Sequence, residues 1–316
     1  MAFRCAAASM GRDEPLLGTA STVRAFLLVE NAGPWGVDAL LDSRLPDEVK
    51  DGLRQRAERA RVRPLLVRRH QGRDNGPGIR VFAAYADPSA PWLVTATVAA
   101  PEVLLDLDLD ALGRGESPGL TPVDGPLFCV CTHGRHDACC AELGRPTASV
   151  LASAYPEETW EVSHIGGDRF AANLLVLPDG LYYGRLDPDS AADVAARHVE
   201  GHLDLDRLRG RSGLAFPAQV AEVALRRHLG ETGRDAVRVL SVNRSADDPR
   251  LTAVTFRAAG ATYAVRVRRI QDDLRHQLTC RAQRDNPIPA YDVLDVSRVT
   301  SGAPSSAPPS TPSPRG

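Results

Sequence analysis

The chain has 316 residues, 43% of them hydrophobic and 25% charged, with 38 basic against 40 acidic side chains and a formal net charge of −2. That composition is expected of a soluble globular protein of about two domains, and the near-neutral balance gives no electrostatic footing for nucleic acid or an anionic membrane surface. No apolar run approaches the roughly 20 residues of a membrane span. Arg4, Arg12, Asp13 and Glu14 also interrupt any signal-peptide core, so a cytoplasmic location is expected.

In chain order, Arg24–Glu30 reads as a buried strand and Asn31–Gly36 as a turn-rich loop. Val49, Leu53, Ala57 and Ala60 recur at helical spacing within Pro46–Arg61. Pro64–Arg69, Ile79–Tyr85 and Trp92–Ala99 read as strands, and Pro101–Leu112 as a closing helix. Gly113–Thr121 is a candidate linker, after which the same order recurs. Pro126–Cys131 is a strand, and Cys140–Tyr155 a helix with Leu143, Val150, Leu151 and Ala154 on its buried side. Trp160–Ser163 is a short strand. Leu174–Leu177 and Leu181–Leu186 flank the turn Pro178-Asp179-Gly180, and Ser190–Leu203 is a helix. Beyond these, Pro217–Leu229 is an amphipathic helix, and Val237–Val242, Leu251–Ala258, Thr262–Ile270 and His276–Ala282 form a small antiparallel sheet. The Ser/Pro-rich end cannot bury a core and is expected to be disordered.

The fold class expected is therefore α/β: two modules of one pattern, then a helix and a small antiparallel C-terminal sheet. The expected boundaries are residues 1–115, 122–212 and 213–298, with a tail over 299–316.

Chemistry is concentrated at one place. Four of the six cysteines, Cys129, Cys131, Cys139 and Cys140, lie within twelve residues, and Ser163-His164-Ile-Gly-Gly-Asp168 follows. In a reducing compartment, clustered cysteines point to metal ligands or redox thiols rather than structural disulfides. Sulfur and imidazole together suit a transition metal or an iron–sulfur cluster. Cys131 ends one strand and His164 the next, so both reach the carboxyl edge of the sheet. Cys139 and Cys140 lie at a helix start, where the helix dipole favours thiolate. Neighbours on a helix point about 100° apart, so one of the two is a ligand and the other packs elsewhere. Cys129 shares a strand face with Cys131 but sits deeper. His133 and His136 read as loop histidines, and His198 and His202 as a solvated helix face. Arg209-Gly-Arg211 reads as a basic loop, and alone is a weak anion-binding signal.

The stretch C-T-H-G-R-H-D-A-C-C (131–140) and W-E-V-S-H-I-G-G-D-R-F-A-A-N-L-L-V-L-P-D-G-L-Y-Y-G-R-L (160–186) resemble the sucrase/ferredoxin-like family. So do G-R-S-G-L (210–214), L-T-C-R-A (278–282), G-T-A-S (18–21) and G-P-W-G (33–36), which fit its bacterial branch. The resemblance implies thioredoxin-like modules and a [2Fe–2S] ferredoxin. In eukaryotic relatives two cysteines hold one iron, and two histidines of an H-x-G-G-H motif hold the other. By position, the cysteines are Cys131 and Cys140 and the first histidine is His164. Asp168 stands where the second histidine is expected, so either Asp168 is an oxygen ligand or Cys139, Cys280, Cys5 or His133 completes the set. The function implied is electron transfer or redox sensing with a redox partner protein or a small reductant. The alternative is a zinc-stabilised or thiol-based interaction protein. No pair of carboxylates marks a glycosidase.

Overall fold

The computed structural model describes residues 2–70, 76–270 and 274–299. The tail expected to be disordered lies, from residue 300 on, outside them. A short helix α1 (Cys5–Gly11) precedes a first unit of β1 (Ala25–Glu30), α2 (Asp47–Ala60), β2 (Val62–Arg68), β3 (Ile79–Tyr85) and β4 (Trp92–Val98). This unit closes with a 3-10 turn (Pro101–Asp106), α3 (Leu109–Arg114) and the two-residue β5 (Thr121–Pro122). A second unit runs β6 (Leu127–Cys131), α4 (Ala138–Ala154), β7 (Thr159–Val162), β8 (Leu174–Leu177), β9 (Leu181–Tyr183), α5 (Pro188–Val199) and β10 (Leu208–Arg211).

All ten strands form one sheet, in the order β10-β9-β8-β6-β7-β2-β1-β3-β4-β5. Within the first unit β1 is parallel to β2 and antiparallel to β3. Within the second, β6 is parallel to β7 and antiparallel to β8. The two half-orders mirror one another about a seam where β2 and β7 pair antiparallel through Val67↔Val162 and Arg68↔Glu161. The repeat expected from the sequence is thus present as topology, but its units are fused strand to strand rather than only joined in series by a linker.

Period-2 alternation sorts the side chains of this sheet. Phe26 and Leu28 of β1 face a core that also holds Val67, Phe82, Cys129, Cys131, Cys140, Trp160, Val162 and Tyr182, so both units share it. Leu27 and Val29 face the opposite side, under Val49, Leu53 and Ala57 of α2. Phe128, Val130 and Val176 likewise meet Ala148 and Leu151 of α4 and Val194 of α5. The helix α5 starts earlier than expected because Asp187 and Ser190 form a capping box around Pro188.

Other expectations fail for identifiable reasons. Pro101–Leu112 is not one helix: Leu107 is extended and Asp108 caps a new helix by accepting the Ala111 amide. In α4 the buried face is Cys140, Gly144, Thr147, Ala148 and Leu151, while Leu143 is exposed. Strand β10 was unforeseen, because its two arginines read as polar loop. Arg209 and Arg211 are buried, and the Arg211 guanidinium lies 3.5 Å from Glu222.

Glu222 sits on α6 (Phe216–Leu229), which covers a sheet in the order β11-β12-β13-β16, made of β11 (Val237–Arg244), β12 (Leu251–Ala258), β13 (Ala261–Ile270) and β16 (Ala290–Arg298). No strand spans His276–Ala282. Only Arg275–His276 (β14) pairs, with Asn286–Pro287 (β15), because the free edge of β13 is taken by β16. Among the described residues no helix is long and apolar enough to cross a membrane.

Candidate metal centre

The site lies at the seam of the large sheet, where a strand end, a helix start and a glycine turn converge. Cys131 is the last residue of β6, and its amide donates to the Asn173 carbonyl at 3.0 Å. Asp137 caps α4 by accepting the Cys139 amide at 2.9 Å. The helix crosses β6 so closely that a Cβ on Gly144 would fall inside the Cys131 carbonyl oxygen. This approach turns Cys140 inward. His164 follows β7, and the next residues pass through left-handed turns at Gly166 (φ 98°) and Gly167 (φ 79°) into Asp168. A side chain on Gly167 would collide with the Arg209 guanidinium.

The donor atoms of Cys131, Cys140 and His164 lie within 4.8 Å of one another. A second group with the same spread shares His164 and adds Asp168 and His136. Asp168 is 2% exposed, and its Oδ1 lies 2.8 Å from Nδ1 of His164 and accepts from Cys140 Sγ at 3.2 Å. His136 stacks on His164 with ring centroids 3.8 Å apart and 21° between planes. Its Nε2 is 3.8 Å from Asp168 Oδ2.

Cys139 is not part of this assembly. It points the other way, to Cys5 and Cys280, at sulfur–sulfur distances of 3.7 and 3.5 Å. That is the divergence expected of adjacent helical residues. Neither Cys5 nor Cys280 therefore joins Cys131 and Cys140. His133 is committed as well: its Nε2 meets the Gly36 carbonyl at 2.7 Å and its Nδ1 accepts the His164 amide at 3.2 Å. With one nitrogen donating and the other accepting, the ring is neutral and has no free lone pair. Burial lowers its pKa accordingly. Cys129 packs in the shared core, where burial pushes its thiol up to about 12. His198 and His202 do not meet: His198 is buried beside Asp179, and His202 contacts Thr232.

Charge is ordered within the site. The Cys140 thiol, aided by His164, holds Cys131 well below the usual thiol range against the cost of burial. The adjacent Cys131, with burial, pushes Cys140 well above it. Burial disfavours a charged His164, yet contacts with Asp168 and Cys131 outweigh it and raise the imidazole to about 9. Asp168 stays below the usual carboxylate range despite burial, through His164. Cys131, Cys140, His164 and Asp168 thus share charge through mutual contact, with negative charge favoured on Cys131 over Cys140.

Sequence reasoning undervalued two residues. His136 was read as a loop histidine, and only the folded loop stacks it on His164. Arg209 is 1% exposed and donates to the carbonyls of Gly166 (2.9 Å) and Thr19 (2.6 Å) and to Asn173 Oδ1 (2.8 Å). It is a buried cation that fixes the glycine turn.

The donor chemistry fits a soft-metal group. Two sulfurs, one or two imidazoles and a carboxylate converge in a mostly buried space. Despite its proximity to Asp168, the buried His164 Nδ1 has no aligned hydrogen bond. A histidine held between a buried carboxylate and two thiols has the placement of a metal ligand oriented by that carboxylate. The sequence model of the sucrase/ferredoxin-like family matches residues 16–210. The chain belongs to this family. The match includes Cys131, Cys139, Cys140, His164 and Asp168, and leaves out Cys5, Cys280 and the C-terminal sheet. No curated protein and no solved structure matches the chain.

Proposed function

We propose that the protein is a cytoplasmic electron carrier or redox sensor of the sucrase/ferredoxin-like family, with each half of the large sheet thioredoxin-like and a [2Fe–2S] cluster in the second. The convergence of Cys131, Cys140 and His164 within 4.8 Å carries this reading. Such a cluster supplies reversible one-electron storage.

The chain's own residues do the rest. Cys131 and Cys140 hold the group from the strand end and helix start, and His164 holds it from the facing turn. Asp168 or His136 completes the donor set, both having a donor atom within 4.8 Å of His164. Asp168 also has the placement of a carboxylate that orients a ligating imidazole. Gly166 and Gly167 let the backbone approach, and Arg209 places a buried positive charge behind it. His136 and His164 keep side-chain exposures of 34% and 24%. They line an open cleft of about 440 Å³ with Val37, Leu40 and Leu41, residues of the first unit. Electrons enter and leave at that histidine side, where a redox partner protein or small reductant docks.

Protein purified without oxygen should be red-brown, bleach with dithionite, and contain two irons and two sulfides per chain. Cys131→Ser and Cys140→Ser should lose the colour, and Cys139→Ser should keep it. Protein that carries zinc at Cys131 and Cys140, with neither iron nor sulfide, would refute the reading.

A further inference from the structure

A second group of sulfurs lies behind the first. Cys5 of α1, Cys139 of α4 and Cys280 of the C-terminal segment form a triangle with Sγ–Sγ distances of 3.7, 3.5 and 3.6 Å. All three are free thiols. Asp137 closes the group, its carboxylate oxygens 3.5 and 3.6 Å from Cys5 Sγ. The same carboxylate accepts the Cys139 amide at 2.9 Å and the Cys280 amide at 2.6 Å. The Cys5 amide donates to Cys280 Sγ at 3.5 Å.

These distances are those of a tetrahedral zinc shell. Zinc–sulfur bonds of about 2.3 Å at the tetrahedral angle separate two sulfurs by about 3.8 Å. A zinc–oxygen bond of about 2.0 Å separates that oxygen from a sulfur by about 3.5 Å. An iron–sulfur cube does not fit, because each of its cysteines holds a different iron and the sulfurs diverge. The amides that point at Cys280 Sγ and at the Asp137 oxygens orient the donors from outside.

We propose that Cys5, Cys139, Cys280 and Asp137 form a structural zinc site, separate from the Cys131–Cys140–His164 centre. Binding displaces the three thiol protons and leaves three thiolates and one carboxylate on the metal. The site joins segments 134 and 141 residues apart in sequence. No described residue from 274 to 290 is buried, so that stretch has no core of its own. It is fastened to α1 and α4 at Cys280. Cys5 and Cys280 lie outside residues 16–210, the stretch matched to the family model, and Cys139 lies inside it.

The test is metal analysis of the full chain and its variants, purified without oxygen and without added chelator. The expected result is one zinc per chain beside the cluster iron. Cys5→Ser and Cys280→Ala should each lose the zinc and keep the iron and colour. Cys131→Ser should lose the iron and keep the zinc. Cys280 is partly buried in a segment without a core of its own, so Cys280→Ala tests the site without threatening the fold. Cobalt(II) added to Cys131→Ser stripped of zinc should give a thiolate-to-metal band that is absent in Cys131→Ser/Cys280→Ala. Zinc retained at one per chain in both Cys5→Ser and Cys280→Ala would overturn the proposal. So would wild-type protein with no zinc and a disulfide among these three cysteines.

Discussion

Asp168→Asn is the sharpest single perturbation of the candidate centre, because it removes a charge and almost no volume. In metal-free protein His164 is raised from an ordinary 6.5 to about 9, against burial, by Asp168 and Cys131. A folded-state pKa above the unfolded one contributes stability that is complete below the unfolded value and lost as pH rises through the folded one. The window here is therefore pH 6.5 to 9. The shift of roughly 2.5 units, at 1.36 kcal/mol each, corresponds to about 3 kcal/mol at pH 6. Asp168 supplies the larger part, its Oδ1 lying 2.8 Å from the ring. Asp168 is ionised throughout this range; it also raises the Cys140 thiol, which narrows the gap further once the unfolded chain's thiols ionise at high pH. Urea unfolding of metal-free wild type and variant, read by the fluorescence of buried Trp160, should show a gap of about 2–3 kcal/mol at pH 6 that nearly closes at pH 10. An NMR titration should place the variant His164 well below its wild-type value, with Cys131 still opposing burial. Equal gaps at the two pH values, or a variant His164 still near 9, would show that Asp168 is not what charges the imidazole.

Three further outcomes are expected. Gly144→Ala forces α4 away from the Cys131 carbonyl, which should cost about 1–3 kcal/mol and lower the iron bound per chain, measured by melting and metal analysis. Unchanged iron content would mean that the helix–strand distance does not set the Cys131–Cys140 geometry. His198, buried against Phe128, is lowered to about 4, chiefly by burial. Its stabilising contribution is complete above 6.5 and lost as pH falls toward 4, so His198 by itself should make the fold about 2 kcal/mol less stable at pH 5 than at pH 7. His198→Phe should flatten this decline in urea melts, and an undiminished slope counts against it. His164→Cys replaces a neutral ligand by an anionic one and should lower the midpoint potential by on the order of 200 mV, read by dye-mediated titration; an unmoved potential in coloured protein shows that His164 does not ligate.

Much of the site was legible because its chemistry follows local rules. Cys131 at a strand end, His164 after the parallel neighbour and the divergence of Cys139 from Cys140 all follow from strand alternation and helical pitch. What escaped depended on contacts made at a distance. His136 gains its place by stacking on a residue 28 positions further along the chain. Arg209 and Arg211 read as loop until the carbonyls and carboxylates that accept their protons are known. The buried face of α4 was assigned by hydrophobicity, which favoured Leu143. The actual constraint is size, since Gly144, Thr147 and Ala148 let the helix lie close on β6. The stretch 276–282 reads as a strand of the small sheet, but no strand edge is left to receive it.

The seam between β2 and β7 has a further consequence. Two like units meeting edge to edge about a local two-fold make the contact that identical subunits make in a symmetric dimer. Here the partner is covalently attached, so its presence does not depend on protein concentration. Only one unit carries the cysteines and the histidine, which frees the other to diverge. Its Trp35 loop, Leu40 and Arg63 now wall the site rather than duplicate it. The chain resembles a dimer in which one subunit has become the permanent cover of the other.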